Sequence, residues 1–89
     1  MKSKNSVMFH KIKEITPLAD YRLYVRFEDG AAKIYDVKPL FDKWAPFRAL
    51  AESPELFSDA VVDVGGCGVV WNDDIDLSCE ELYENGVME

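Results

Sequence analysis

Between Asp20 and Val37 apolar and polar residues alternate over most of the run, and Asp29-Gly30 interrupts the alternation. Leu23, Val25 and Phe27 take every second position before the break, with Arg22, Tyr24 and Arg26 between them. A period of two sends successive side chains to opposite faces of a strand. Asp-Gly tolerates the positive φ that a type I′ turn requires at both central positions. The pattern therefore predicts a β-hairpin with a two-residue turn, with Asp29 and Gly30 as its structural residues. In that register Glu28 faces Ala31, Phe27 faces Ala32, Val25 faces Ile34 and Leu23 faces Asp36. Tyr21, Leu23, Val25, Phe27, Ala32 and Ile34 then share the core face. Arg22, Tyr24, Arg26, Lys33 and Tyr35 share the outer face, where Tyr24 and Tyr35 form an aromatic cross-strand pair.

A second hairpin is predicted around Gly65-Gly66. Apolar residues again alternate on either side, and a two-residue loop sets Val64 against Cys67, Val62 against Val69 and Ala60 against Trp71, all on one face. Asn72 to Asp76 then reads as an acidic loop. Ser78-Cys79-Glu80-Glu81 is a capping box, with Ser78 at the N-cap and Glu81 at N3. Leu77 and Leu82 complete a hydrophobic staple, and Asn85-Gly86 supplies the stop. This predicts a C-terminal helix of about two turns, docked through Leu82 and Tyr83.

The remaining segments are less regular. Residues 1–6 read as a disordered tail, and residues 11–15 as a first strand, with Phe9, Ile12 and Ile15 as apolar points and Thr16-Pro17 as its end. Pro39, Pro46 and Pro54 each suit the first turn of a helix. They predict three short helical turns over residues 39–43, 46–51 and 54–57, the last capped by Ser53, burying Phe47, Leu50, Leu56 and Phe57. Such pieces are too short to stand alone and form a lid over the sheet.

Eighty-nine residues allow one domain, with its core over about residues 9–86. A domain of this size is marginal by itself, so dimerisation is expected. The net charge of −7 argues against phosphate-neutralising nucleic-acid binding and against an anionic membrane surface, and admits a basic protein partner. No apolar run approaches the roughly 18 residues of a membrane span, and no secretory h-region follows the N-terminus. A cytoplasmic location is expected, with Cys67 and Cys79 as free thiols.

The chemistry-bearing residues form no catalytic set. His10 is the sole histidine and lacks the partners of a triad or a zinc site. The acidic stretch from Asn72 to Glu81 fails the EF-hand pattern, since a loop starting at Asn72 or at Asp74 lacks glycine at position six and glutamate at twelve. Gly65-Gly66-Cys67-Gly68 lacks the Lys-Ser/Thr and the following helix of a phosphate loop. Asp36, placed inward, must be hydrogen-bonded, and capping the turn at Pro39 meets that need. Trp44, Trp71, Tyr24 and Tyr35 offer aromatic faces for stacking on single-stranded nucleic acid. Arg22, Tyr24, Arg26, Lys33 and Tyr35 make the one basic, aromatic patch, a composition enriched at protein interfaces.

From about Phe9 to Tyr83 the chain resembles the family called Domain of Unknown Function 2442. The likeness rests on Asp-Tyr-x-Leu-x-Val-x-Phe-x-Asp-Gly over residues 20–30, Asp36, the Phe47 and Leu50 pair, Phe57, Trp71, and Asp76-Leu77 ahead of Leu82-Tyr83. Many members have glycine where this chain has Asp74. The resemblance implies a small α+β domain and carries no catalytic residues. It also implies a partner: some relatives look like one half of a two-gene, toxin–antitoxin-like pair beside a small protein of the Domain of Unknown Function 4160 family.

The expected architecture is α+β: two β-hairpins and an N-terminal strand, covered by short helical turns and one C-terminal helix. The expected function is a non-enzymatic protein-binding module of antitoxin-like type, with no cofactor and no metal. Its candidate interface is Arg22, Tyr24, Arg26, Lys33 and Tyr35. Gly65, Gly66, Trp71, Asp76, Ser78 and Glu81 are read as structural. The alternative is a small-ligand or metal site, or an enzyme, using Asp36 and the loop of Asp73, Asp74 and Asp76.

Overall fold

A computed structural model describes residues 10–88. The expected tail over residues 1–6 and the apolar point at Phe9 lie outside the described residues. Strands β1 (Ile12–Leu18), β2 (Arg22–Phe27) and β3 (Ala32–Asp36) form an antiparallel meander. Short helices α1 (Leu40–Lys43), α2 (Arg48–Glu52) and α3 (Pro54–Ser58) follow. Strands β4 (Val61–Val62), β5 (Gly68–Asn72) and β6 (Ile75–Ser78) make a second meander, and helix α4 (Cys79–Asn85) and strand β7 (Val87–Met88) come after it. The class is α+β. Its strands divide into two antiparallel sheets, one ordered β1-β2-β3-β7 and the other β4-β5-β6.

The first hairpin forms where expected, but one residue out of register. Phe27 donates to Ala31 at 2.8 Å and accepts from Gly30 at 3.1 Å, so the loop holds Glu28, Asp29 and Gly30. Asp29 secures it by accepting the Ala31 amide at 2.8 Å, and Gly30 takes φ +96°. A three-residue loop ending in a left-handed glycine is the common alternative to the two-residue turn. Leu23 therefore faces Tyr35, Tyr24 faces Ile34 and Arg22 faces Asp36. Because side chains alternate, the slip turns β3 over. Tyr35 is buried, and Asp36 is exposed rather than on the core face. Tyr24 and Tyr35 are not cross-strand partners.

β1 runs on through Thr16 and Pro17 to Leu18 and carries a bulge between Ile12 and Glu14. Pro17 is tolerated because β1 is an edge strand, where a missing N–H breaks no ladder. The second hairpin keeps the expected pairing of Val62 with Val69. Its strands are shorter, because Val64–Gly66 forms a 3-10 turn closed by Asp63 donating to Gly68 at 2.8 Å. Gly65 and Gly66 lie in that turn with positive φ, and Val64 and Cys67 are exposed. The segment read as an acidic loop also holds strand β6: Asn72 pairs with Ile75 across Asp73 and Asp74. Asn72 accepts the Asp74 amide at 2.9 Å, which tightens the reversal.

The core lies between the sheets and the helices. The first sheet contributes Leu23, Val25, Phe27 and Tyr35; the second contributes Val69, Trp71, Ile75 and Leu77. Leu40, Phe47, Leu50, Phe57 and Leu82 fill the space from the helical side. Trp71 ties lid to sheet: its indole donates to the Phe57 carbonyl at 3.0 Å, and its ring packs on Phe47 and Phe57. The α3 start is capped by Ser53, which accepts the Leu56 amide at 3.2 Å. The α4 start is capped by Ser78, which accepts the Glu81 amide at 3.1 Å. No helix among the described residues is long and apolar enough to cross a membrane.

Candidate functional site

The inner face of the four-stranded sheet is covered by the core, and on its outer face Glu14, Thr16, Arg22, Arg26 and Asp36 are exposed. Alternation along each strand selects what that face presents. Arg22, Tyr24 and Arg26 come from β2, and Ile34 and Asp36 from β3. One register row crosses the whole sheet: Thr16 pairs with Tyr24, Tyr24 with Ile34, and Ile34 with Val87. Tyr24 and Ile34 are half-buried, while Val87 is 70% exposed. The flanking rows are polar. Arg22 stands opposite Asp36 on one side, and Arg26 and Glu14 approach within 3.6 Å on the other. The result is an apolar stripe with a charged row along each side.

The slip in β3 removes two residues from the expected interface. Lys33 and Tyr35 point to the side of α4, away from Arg22, Tyr24 and Arg26. Lys33 lies over the Tyr83 ring at 3.9 Å and donates to the Tyr83 carbonyl. The Tyr35 hydroxyl donates to Glu81 at 2.8 Å. Burial pushes that hydroxyl's pKa well above its ordinary value, and the Glu81 carboxylate adds to the shift. Glu81 thus spends its side chain on Tyr35. The sequence carries a signal for this contact only in retrospect, as a buried Tyr whose hydroxyl must find a partner.

A groove of about 630 Å³ runs from the outer face towards α4, between Arg22, Ile34, Asp36, Leu40, Lys43 and Val87. Asp36 stands at its rim as an ion-pair centre, and α1 has no side-chain cap. It accepts the Lys38 amide at 3.0 Å and lies 2.9 Å from the Lys38 ammonium. Partial burial pushes its carboxyl up, but the Lys38 hydrogen bonds and the Lys38 and Arg22 charges outweigh this and hold it below its ordinary value. Lys38 also reaches Asp20, at 2.6 Å to the carbonyl and 3.1 Å to the carboxylate. Asp20 and Tyr21 form a left-handed turn with φ +65° and +56°, which that lysine clamps.

The other candidates are dispersed. Asp74 and Asp76 line a separate groove with Lys43, Trp44 and Phe47, so the structure does not gather them around Asp36. Among the described residues no three His, Cys, Asp or Glu side chains are placed to hold a metal ion. The four aromatics offered for stacking part company. Trp71 and Tyr35 are buried, Trp44 is exposed beside Lys43, and Tyr24 stands on the outer face. His10 stacks on Tyr83 at 3.5 Å between centroids, with Nδ1 3.4 Å from Glu80.

No curated protein and no solved structure gives a significant match to this chain. One family model does, over residues 12–87, a span that takes in both sheets, the lid and α4. The chain belongs to the family described as Protein of unknown function (DUF2442).

Proposed function

We propose that this protein is a non-enzymatic binding module that docks a protein partner on the outer face of its four-stranded sheet. The supporting observation is the apolar row of Tyr24, Ile34 and Val87, continuous across three strands and bordered by Arg22, Arg26, Asp36 and Glu14. An apolar centre with a charged rim is the usual anatomy of a protein interface, and Tyr and Arg are its commonest hot spots. The resemblance gives the partner to try first, the small Domain of Unknown Function 4160 protein of a toxin–antitoxin-like pair. A net charge of −7 suits steering towards a basic partner.

The test is light scattering on a sizing column, with the chain alone and co-expressed with that partner. A stable heteromeric peak is expected. Tyr24→Ala combined with Arg26→Ala should weaken the complex at least ~10-fold, because both side chains lie on the outer face. The variant should melt close to the wild type. Unchanged affinity in that variant would remove the outer face as the interface.

A further inference from the structure

The two cysteines are 12 positions apart in sequence and opposite each other in space. β5 and β6 pair Val69 with Leu77 and Gly68 with Ser78. The next step outward in the same register sets Cys67 against Cys79. The ladder does extend that far, since the Cys79 amide donates to the Cys67 carbonyl at 2.8 Å. Both residues leave strand geometry at this point, Cys67 with φ −75° and ψ −12° and Cys79 as the first residue of α4, yet the Cys67 side chain stays near enough to act on the Cys79 thiol. Directly opposed residues in an antiparallel pair have Cα atoms about 4.5–5.5 Å apart. A disulfide spans Cα separations of about 4.4–6.8 Å.

We propose that Cys67 and Cys79 are a reversible dithiol–disulfide pair, an oxidation site that pins the Val64–Gly66 turn to the first residue of α4. Their surroundings divide the work. Cys67 is exposed and meets an oxidant first, whereas Cys79 is buried. Burial and the neighbouring Glu80 and Cys67 push the Cys79 thiol up, which keeps it protonated and slow towards bulk reagents.

With a small disulfide such as oxidised glutathione as oxidant, the exchange balances. The Cys67 thiolate attacks one glutathione sulfur, forms a mixed disulfide and expels one glutathione thiolate. Cys79 then loses its proton, attacks the Cys67 sulfur and expels the second thiolate. The protein has given up two electrons and two protons, and the reagent has been reduced to two thiols. The site needs no partner protein, so it stands apart from the outer-face reading.

The test exposes the folded full chain to oxidised glutathione, alkylates the remaining thiols and measures intact mass. The expected product is a monomer lighter by two hydrogens, closed to alkylation and restored by dithiothreitol. Cys79→Ser should accumulate the glutathione adduct on Cys67, and Cys67→Ser should stay unmodified. A parallel reaction in urea separates fold from chance. The link should form more completely in the folded chain, where the sulfurs are held at high effective concentration. Wild-type protein that stops at the glutathione adduct, or that links only in urea, would overturn the proposal.

Discussion

The two main hairpins begin from the same kind of turn signal and end differently. Asp29-Gly30 predicts a two-residue loop and gives three; Gly65-Gly66 predicts two and gives four. The first hairpin gains one residue, so its second strand turns over, Tyr35 moves inward and Ile34 moves out. The second gains two, so Val62 still faces Val69 and Trp71 stays inward, while Val64 and Cys67 pass into the loop and are exposed. Loop parity, more than loop length, decides which side chains reach the core. It also decides the candidate site, because the outward turn of Ile34 completes the apolar row.

The largest effect is expected where the first register can be tested directly. Tyr35→Ala should cost about 3–5 kcal/mol by chemical denaturation, as for a large aromatic deleted from a core. Ile34→Ala should cost about 1 kcal/mol, since its side chain lies on the outer face and is only partly buried. Equal losses, or the reverse order, would restore the two-residue turn.

A smaller difference separates the glycines of the two hairpins. A Cβ on Gly68 would lie 2.2 Å from the Leu77 carbonyl oxygen, backbone that cannot swing away. Gly68→Ala should therefore cost about 2–3 kcal/mol and loosen the β5–β6 pairing. Gly30→Ala meets no atom within 4 Å and bears only the penalty of φ +96°, about 1–2 kcal/mol. Thermal melts of the two variants side by side would rank them, and a milder Gly68→Ala would contradict the close approach.

The smallest effect is electrostatic. Asp36 is held below its ordinary pKa by Lys38 and Arg22, so its contribution is present above the unfolded value of 3.8 and fades as pH falls through the lower folded value. Asp36→Asn should thus destabilise at neutral pH and approach the wild type in acid. Denaturation at several pH values checks this, and a gap that widens in acid would place Asp36 in a different environment.

What the sequence made legible was the local code that needs no partner. Ser78 and Ser53 mark helix starts because a side-chain oxygen meets an orphan amide a few residues on. The inner face of β2 was legible because Leu23, Val25 and Phe27 leave no alternative. β3 was not, because Ile34 and Tyr35 are adjacent and both can fill a core, so only the loop chooses between them. β6 was hidden because Asp73-Asp74 has no glycine to announce a turn, and Asn72 supplies the reversal instead. β7 and the division into two sheets depend on contacts between distant segments, which no window of sequence contains. For the candidate site, Arg22, Tyr24 and Arg26 were legible as one outer face, while the part played by Val87 was not.

The closing strand of the first sheet also sets a clock on folding. β3 pairs with β7, and Lys33 touches Tyr83 across 50 positions of chain. At a ribosomal pace of about 5–20 residues per second, that stretch takes about 3–10 s to make. Throughout that interval the β1–β2–β3 meander has an open edge at β3 and lacks Leu82 against its core. The nascent chain is therefore most open to wrong strand partners midway through its synthesis, and it is sealed only when the residues after α4 arrive.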